Sequence, residues 1–168
     1  MTSVANILRS KTDRSVHTVS PSSSVFDAIS TMSREHIGAL VVTYGGEVRG
    51  MLTERDYARK VILQDRSSRD TAVQEIMSAP VLYVQPSHTS EECMELMTDY
   101  RIRHLPVIED GVLVGLVSIG DLVKNLIAEQ QFAIDQLAGY VHGTNAEAVS
   151  MAVTRRPVAR AIPNMSHR

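Results

Sequence analysis

The chain writes one phrase twice. "GMLTERD" runs from Gly50 to Asp56, and "GLVSIGD" runs from Gly115 to Asp121, 65 positions later. The register holds without a gap over more than forty residues. Val19 meets Val84, Pro21 meets Pro86, Met32 meets Met97, and Ile37 meets Ile102. Leu40 meets Leu105, Val42 meets Val107, Gly46 meets Gly111, and Thr53 meets Ser118. Unrelated segments do not stay aligned this long, so the chain is two copies of one unit. An earlier piece also recurs: "VANIL" (Val4 to Leu8) resembles "VQEIM" (Val73 to Met77) at an offset of 69. The four extra residues fall in the polar stretch "RSKTDRSVH", where a loop absorbs them.

Each unit reads as β-α-β-β-α. A short strand, "HTVS" or "LYVQ", comes first. A helix follows, opened at Ser24 with Asp27 and at Thr89 with Glu92, the spacing of a capping box. Val25, Ile29 and Met32, then Cys93, Leu96, Met97 and Tyr100, give it an apolar stripe. Two strands joined by a glycine turn ("YGGE", "EDGV") lead to the repeated aspartate, which opens the second helix. A unit of this size buries too little surface alone, so its apolar strands are expected to pack on those of its twin. The fold class is α/β (α+β), with repeats at 3–66 and 72–140. The last helix is expected to reach about Ala138, with Ile127, Ile134, Leu137 and Val141 in a stripe. A mobile tail is expected over 143–168.

Composition narrows the function. The net charge is −2 and Trp is absent, so neither a broad basic surface nor a stacking platform for nucleic acid is evident. One cysteine, Cys93, permits no intrachain disulfide. No apolar run is long enough to span a bilayer, and the N-terminus lacks a secretory core. The expected setting is cytoplasmic, with no membrane or nucleic-acid partner.

The repeated aspartate has two readings. An Asp between strand and helix is a good N-cap, and Thr53 and Ser118 would then be ordinary strand-end hydroxyls. Alternatively, the turn is an anion site. It exposes backbone N–H groups at the positive end of a helix dipole. A hydroxyl three residues earlier donates to phosphate, and a carboxylate accepts from both hydroxyls of a ribose. The initial glycine allows close approach.

The doubled pattern Gly-apolar-apolar-Ser/Thr-x-x-Asp, preceded by "HLPVI" and a glycine turn, resembles a pair of CBS domains, a Bateman module. The resemblance covers about residues 3–140 and is to the small stand-alone CBS-pair proteins of bacteria and plant organelles. It implies two repeats packed sheet to sheet about a pseudo-two-fold axis, with two clefts for adenosine ligands: AMP, ADP, ATP, NAD(H) or S-adenosylmethionine. Asp56 and Asp121 would take ribose, and Thr53 and Ser118 the ribose-phosphate. The base would lie against Ile37, Ile102, Pro106, Met51 and Leu116, with Thr18 and Tyr83 at its rim. The resemblance also implies a disc-shaped homodimer. An effector protein, not identifiable from sequence, or the dimer's own geometry would carry the output.

The copies differ. Arg103 and His104 of the second stand where the first has Gly38 and Ala39. The first has Arg55 beside its Asp where the second has Gly120, and Arg55 could serve either cleft. Arginine binds phosphate through a fork of donors. The expectation is a strong site around Asp121, Ser118 and Arg103, and a weaker or empty one around Asp56. The six histidines show no metal-ligand spacing, and His104 reads as a pocket or dimer-contact residue. Cys93 reads as a buried structural thiol and Met32, Met94 and Met97 as core. No P-loop, GxGxxG, GxSxG or HExxH motif is present. The leading function is a regulatory, non-enzymatic ligand sensor with no catalytic cofactor. Its rivals are a structural dimer with vestigial pockets and a small nucleotide-acting enzyme.

Overall fold

A computed structural model describes the backbone of residues 2–143 and the side chains of residues 2–140. The tail expected beyond residue 143 lies outside the described residues. Chain order is α1 (Val4–Ser10), β1 (Thr18–Val19), α2 (Val25–Glu35), β2 (Ala39–Tyr44), β3 (Glu47–Thr53) and α3 (Glu54–Lys60). Then follow α4 (Val73–Ile76), α5 (Ser90–Asp99), β4 (His104–Glu109), β5 (Val112–Ser118) and α6 (Ile119–Gly143). The chain divides into two compact units, the first ending at Gln130.

In the first unit the repeats build matching hairpins. Tyr44 pairs with Glu47 around Gly45 and Gly46, both at positive φ. Glu109 pairs with Val112 around Asp110 and Gly111, also both positive. Two positive φ values in a two-residue loop give the turn whose twist matches the flanking strands. Leu40, Val42 and Leu52 bury one face of repeat one against Val25, Ala28 and Met32 of α2. Leu105, Val107 and Val117 do the same in repeat two against Cys93 and Met97 of α5. The other sheet faces meet each other: Ala39, Val41 and Met51 cluster with Leu113 and Leu116. The expected packing of sheet on sheet is therefore present.

Several local expectations need correction. β1 pairs with β2 in parallel, but "LYVQ" forms only a single bridge, Val84 to Val107. The cause is Pro106. In repeat one the Val41 N–H donates to the His17 carbonyl at 3.2 Å. Pro106 stands 65 residues on from Val41 and has no N–H to repeat that bond. Tyr100 does not continue the apolar face of α5; it caps the helix and is exposed. The helix after Asp56 ends at Lys60 and gives way to a 3₁₀ turn at Ile62–Gln64. The last helix runs past Ala138 to Gly143.

The recurring short pieces at Val4 and Val73 are helices, and they are exchanged. Val4 and Ile7 of α1 are buried in the core of repeat two. Val73 and Ile76 of α4 are buried in the core of repeat one. The first N–H groups of each helix are met by carbonyls of the repeat it joins. Val4 and Ala5 donate to His88 and Pro86, and Val73 and Gln74 donate to Ser23 and Pro21, at 2.8–3.0 Å. Each helix also covers a glycine: a Cβ on Gly115 would sit 2.6 Å from Leu8, and one on Gly50 2.6 Å from Met77.

Burial of Cys93 pushes its thiol up to about 11, with Glu92 adding to the shift, which makes it an inert core group.

Ile7 belongs to repeat one by sequence and to repeat two by packing. Ile7→Ala is expected to cost about 2–5 kcal/mol in urea unfolding. Hydrogen exchange should show the loss of protection in α5, β4 and β5 first. Earlier loss in β2 and β3 than in β4 and β5 would contradict the exchanged packing.

Candidate functional site

The repeated phrase folds into the same device twice. The aspartate is not the N-cap; the hydroxyl three residues before it is. Thr53 caps α3, and its Oγ1 accepts from the Asp56 N–H at 3.2 Å. Asp56 Oδ2 accepts in return from the Thr53 N–H at 3.0 Å and from its hydroxyl at 2.8 Å. Ser118 and Asp121 repeat this at the start of α6, with Oδ2 accepting the Ser118 N–H and hydroxyl, both at 2.8 Å, and Ser118 Oγ accepting the Asp121 N–H at 3.3 Å. The spacing hydroxyl-x-x-acid is that of a capping box. Aspartate is short, so one oxygen reaches both the cap's N–H and its hydroxyl.

Strand register brings the expected residues together in two matching sets. Ala39 lies opposite Thr53, and Met51 opposite Val41. His104 lies opposite Ser118, and Leu116 opposite Pro106. The Gly38 carbonyl accepts the Glu54 N–H, and the Arg103 carbonyl accepts the Ile119 N–H, so each loop is tied to the start of its helix. Ala39, Met51 and Pro106 are buried and Leu116 is half-buried. Ile37 and Ile102 pack at the edges of the two cores. Thr18 and Tyr83 are exposed.

Arg55 reaches repeat two. Its Nη1 donates to the Arg101 carbonyl at 2.9 Å. It lines a cavity of about 320 Å³ with Arg101, Ile102, Arg103 and Ile119. Among the described residues no carboxylate lies within ion-pair distance of Arg55, Arg101 or Arg103.

Three partners of the aspartates escaped the sequence reading. Lys11, in the polar stretch after α1, donates to Asp121 Oδ2 at 3.0 Å and to the Leu116 carbonyl at 2.9 Å. Lys60 lies 2.8 Å from Asp56 Oδ1 and donates to the Ile76 carbonyl at 2.7 Å. Ser78, just after α4, donates to Asp56 Oδ1 at 3.2 Å. The i,i+4 spacing of Lys60 from Asp56 was a readable signal. Lys11 and Ser78 had none, because each arrives on the exchanged segment of the other repeat.

Burial acts first on Asp121 and pushes its carboxyl up. The Ser118 N–H, the Ser118 hydroxyl and Lys11 outweigh it, so the carboxyl lies below its ordinary value of 3.8. His104 is held below 6.5, chiefly by burial; Arg103 and Lys11 add to this, and Asp121 and Glu54 oppose it. Among the described residues no group of three or more His, Cys, Asp or Glu is placed to hold a metal ion. No described helix is long and apolar enough to cross a membrane.

Two tandem units, each ending its hairpin in a hydroxyl-capped helix with a paired carboxylate, define the class. The chain belongs to the CBS domain family, which it matches over residues 4–62 and 73–128. It is 39% identical over 150 residues to the mitochondrial CBS domain-containing protein CBSX3 of Arabidopsis thaliana, covering 84% of this chain and 73% of that one. It is 36% identical over 115 residues to YhcV of Bacillus subtilis, covering 68% and 81%. A solved CBS-domain structure from Burkholderia ambifaria superposes with a TM-score of 0.74 at 56% identity, over 77% of this chain and 96% of that one. CBS-domain pairs serve as regulatory, generally non-catalytic modules.

Both shifted groups make the fold acid-sensitive, in different windows. The unfolded chain protonates His104 first, so stability is full above about 6.5 and falls as the pH drops toward the lower folded value. The Asp121 contribution is full above 3.8 and is lost as the pH falls through its lower folded value. Urea midpoints between about pH 7.5 and 5 should decline less in His104→Gln than in the wild type. An unchanged slope would show that His104 carries none of it.

Proposed function

We propose that the chain is a sensor of phosphate-bearing adenosine ligands, with its open site at Asp121. The observation that carries this is the Asp121 carboxylate, which has a free oxygen at a helix N-terminus within a repeat that also presents uncompensated arginines. All three donors that reach Asp121 converge on Oδ2. Oδ1 remains to accept ribose hydroxyls. Arg55, Arg101 and Arg103 offer forked donors for phosphate and disfavour a cationic ligand.

The structure of the MJ0100 CBS domain pair holds 5′-methylthioadenosine and S-adenosylmethionine. At 23% identity the likeness is one of fold. The ligand class for this chain therefore rests on its own residues. The arginines favour AMP, ADP, ATP or NAD(H) over a sulfonium. Among the described residues, no group of three or more His, Cys, Asp or Glu is placed to hold a metal for hydrolysis. Signalling requires the ligand to prefer one conformation or association state.

A homodimer is part of the proposal. Every side chain from Gln131 to Tyr140 is exposed, with Phe132 at 66%, Ile134 at 58% and Leu137 at 67%. An apolar helix surface of this kind is stable when covered by a partner. Sedimentation should show a concentration-dependent dimer that the pair Ile134→Lys and Leu137→Lys dissociates. A variant that stays dimeric would place the interface elsewhere.

Melting temperature against AMP, ADP, ATP, NAD, NADH and S-adenosylmethionine tests the ligand. At about 100 times Kd the gain is about 2.7 kcal/mol. For a chain of this size that is about 5–10 °C. Phosphate-bearing ligands should raise Tm, S-adenosylmethionine should not, and Asp121→Ala should abolish the shift. No shift with any ligand, in protein free of bound nucleotide, would favour the structural dimer.

A further inference from the structure

The two motif aspartates are chemically alike but unequally engaged. A carboxylate offers about four acceptor positions over its two oxygens. Asp56 is held by three hydrogen-bond donors and one ion-pair partner. The Thr53 N–H and hydroxyl take Oδ2, and the Ser78 hydroxyl and Lys60 ammonium take Oδ1. Asp121 has three donors, all on Oδ2. Its side chain is also the more open, at 18% exposure against 11% for Asp56.

We propose that Lys60 and Ser78 keep the repeat-one site shut, so that each chain presents one working ribose carboxylate. This rests on the reading of these carboxylates as ribose acceptors. It assigns to two residues outside the repeated phrase the choice of which site works.

The lock is anchored on both sides. Lys60 sits on α3, four residues from Asp56, and its ammonium is also tied to the Ile76 carbonyl. Ser78 exchanges two backbone hydrogen bonds with Met51, at 2.8 and 3.0 Å. Behind it, Met77 packs on Gly50, where even a Cβ would lie 3.1 Å from the Ser78 carbonyl. These contacts hold the Ser78 backbone and the Lys60 ammonium beside Asp56.

Repeat two lacks this arrangement. The position matching Lys60 is Asn125, whose amide nitrogen is buried without a partner rather than bonded to Asp121. The cation instead comes from Lys11, distant in sequence and sharing Oδ2 with Ser118. A ribose arriving at Asp121 meets an unoccupied oxygen; one arriving at Asp56 must displace a hydroxyl and an ammonium together.

Titration calorimetry with ADP on the full chain decides this. The variants are Ser78→Ala, Lys60→Met with Ser78→Ala, and the latter with Asp121→Asn. Wild type should bind about one ADP per chain and the unlocked pair about two. Adding Asp121→Asn to the unlocked pair should return it to about one, now at Asp56. Two equivalents in the wild type, or one in both the wild type and the folded unlocked pair, would overturn the lock. No binding in the wild type but one equivalent in the unlocked pair would sustain the lock and sink the Asp121 reading. No binding in either would sink both. If the double substitution fails to fold, Ser78→Ala alone should add a second, weaker equivalent, and its absence there would count against the lock.

Discussion

The exchange of α1 and α4 between the repeats is the constraint on which the rest depends. Ile7 and Ile76 are each fully buried in a core built by the other half of the sequence. Neither repeat can close its core without a segment borrowed from its twin. Two sequence copies thus become one cooperative body. The loan also fixes the chemistry, since the residues that follow each exchanged helix are those that reach the other repeat's aspartate. Lys11 arrives at Asp121, and Ser78 at Asp56. The electrostatics of each site is set by a stretch that ordinary domain boundaries would assign elsewhere.

The capping box links binding to shape. The same carboxylate that would accept ribose hydroxyls also accepts the N–H and hydroxyl of its own helix cap. A cap is worth about 1 kcal/mol, and a pair of charge-assisted hydrogen bonds to a ligand is worth more. A ligand on Oδ1 would therefore share the carboxylate with the cap bonds, which lie on Oδ2, without displacing them. The capped turn leads into a helix that continues to Gly143. On the proposed reading, one carboxylate shared by cap and ligand would couple occupancy to the start of that helix.

Much of this was legible in the sequence. The gapless register at an offset of 65 foretold matching hairpins, and the hydroxyl-x-x-acid spacing marked the helix starts. The glycine turns read directly, because two positive φ values call for Gly or Asp. The misses have physical causes. Reading Asp56 as the cap overlooked that a capping hydroxyl three residues earlier claims that role and leaves the acid to answer it. Pro106 lies within the apolar run "HLPVI", and its missing N–H limits the partner strand to one bridge. The exchange was hidden because sequence proximity carries no information about which of two identical cores a helix will fill.

The inequality of the two sites shows how a duplicated unit diversifies. Both copies retain glycine, hydroxyl and aspartate at the same spacing, so the phrase alone predicts equivalence. The difference lies one helical turn later, where Lys60 in one copy is Asn125 in the other. An ammonium on a four-carbon stem reaches back to the carboxylate, and the shorter amide does not. Repeat two takes its cation from Lys11, and that cation lands on the oxygen already held by the cap. On the proposed reading, which oxygen the cation chooses, more than whether a cation is present, would decide whether the carboxylate can accept a sugar.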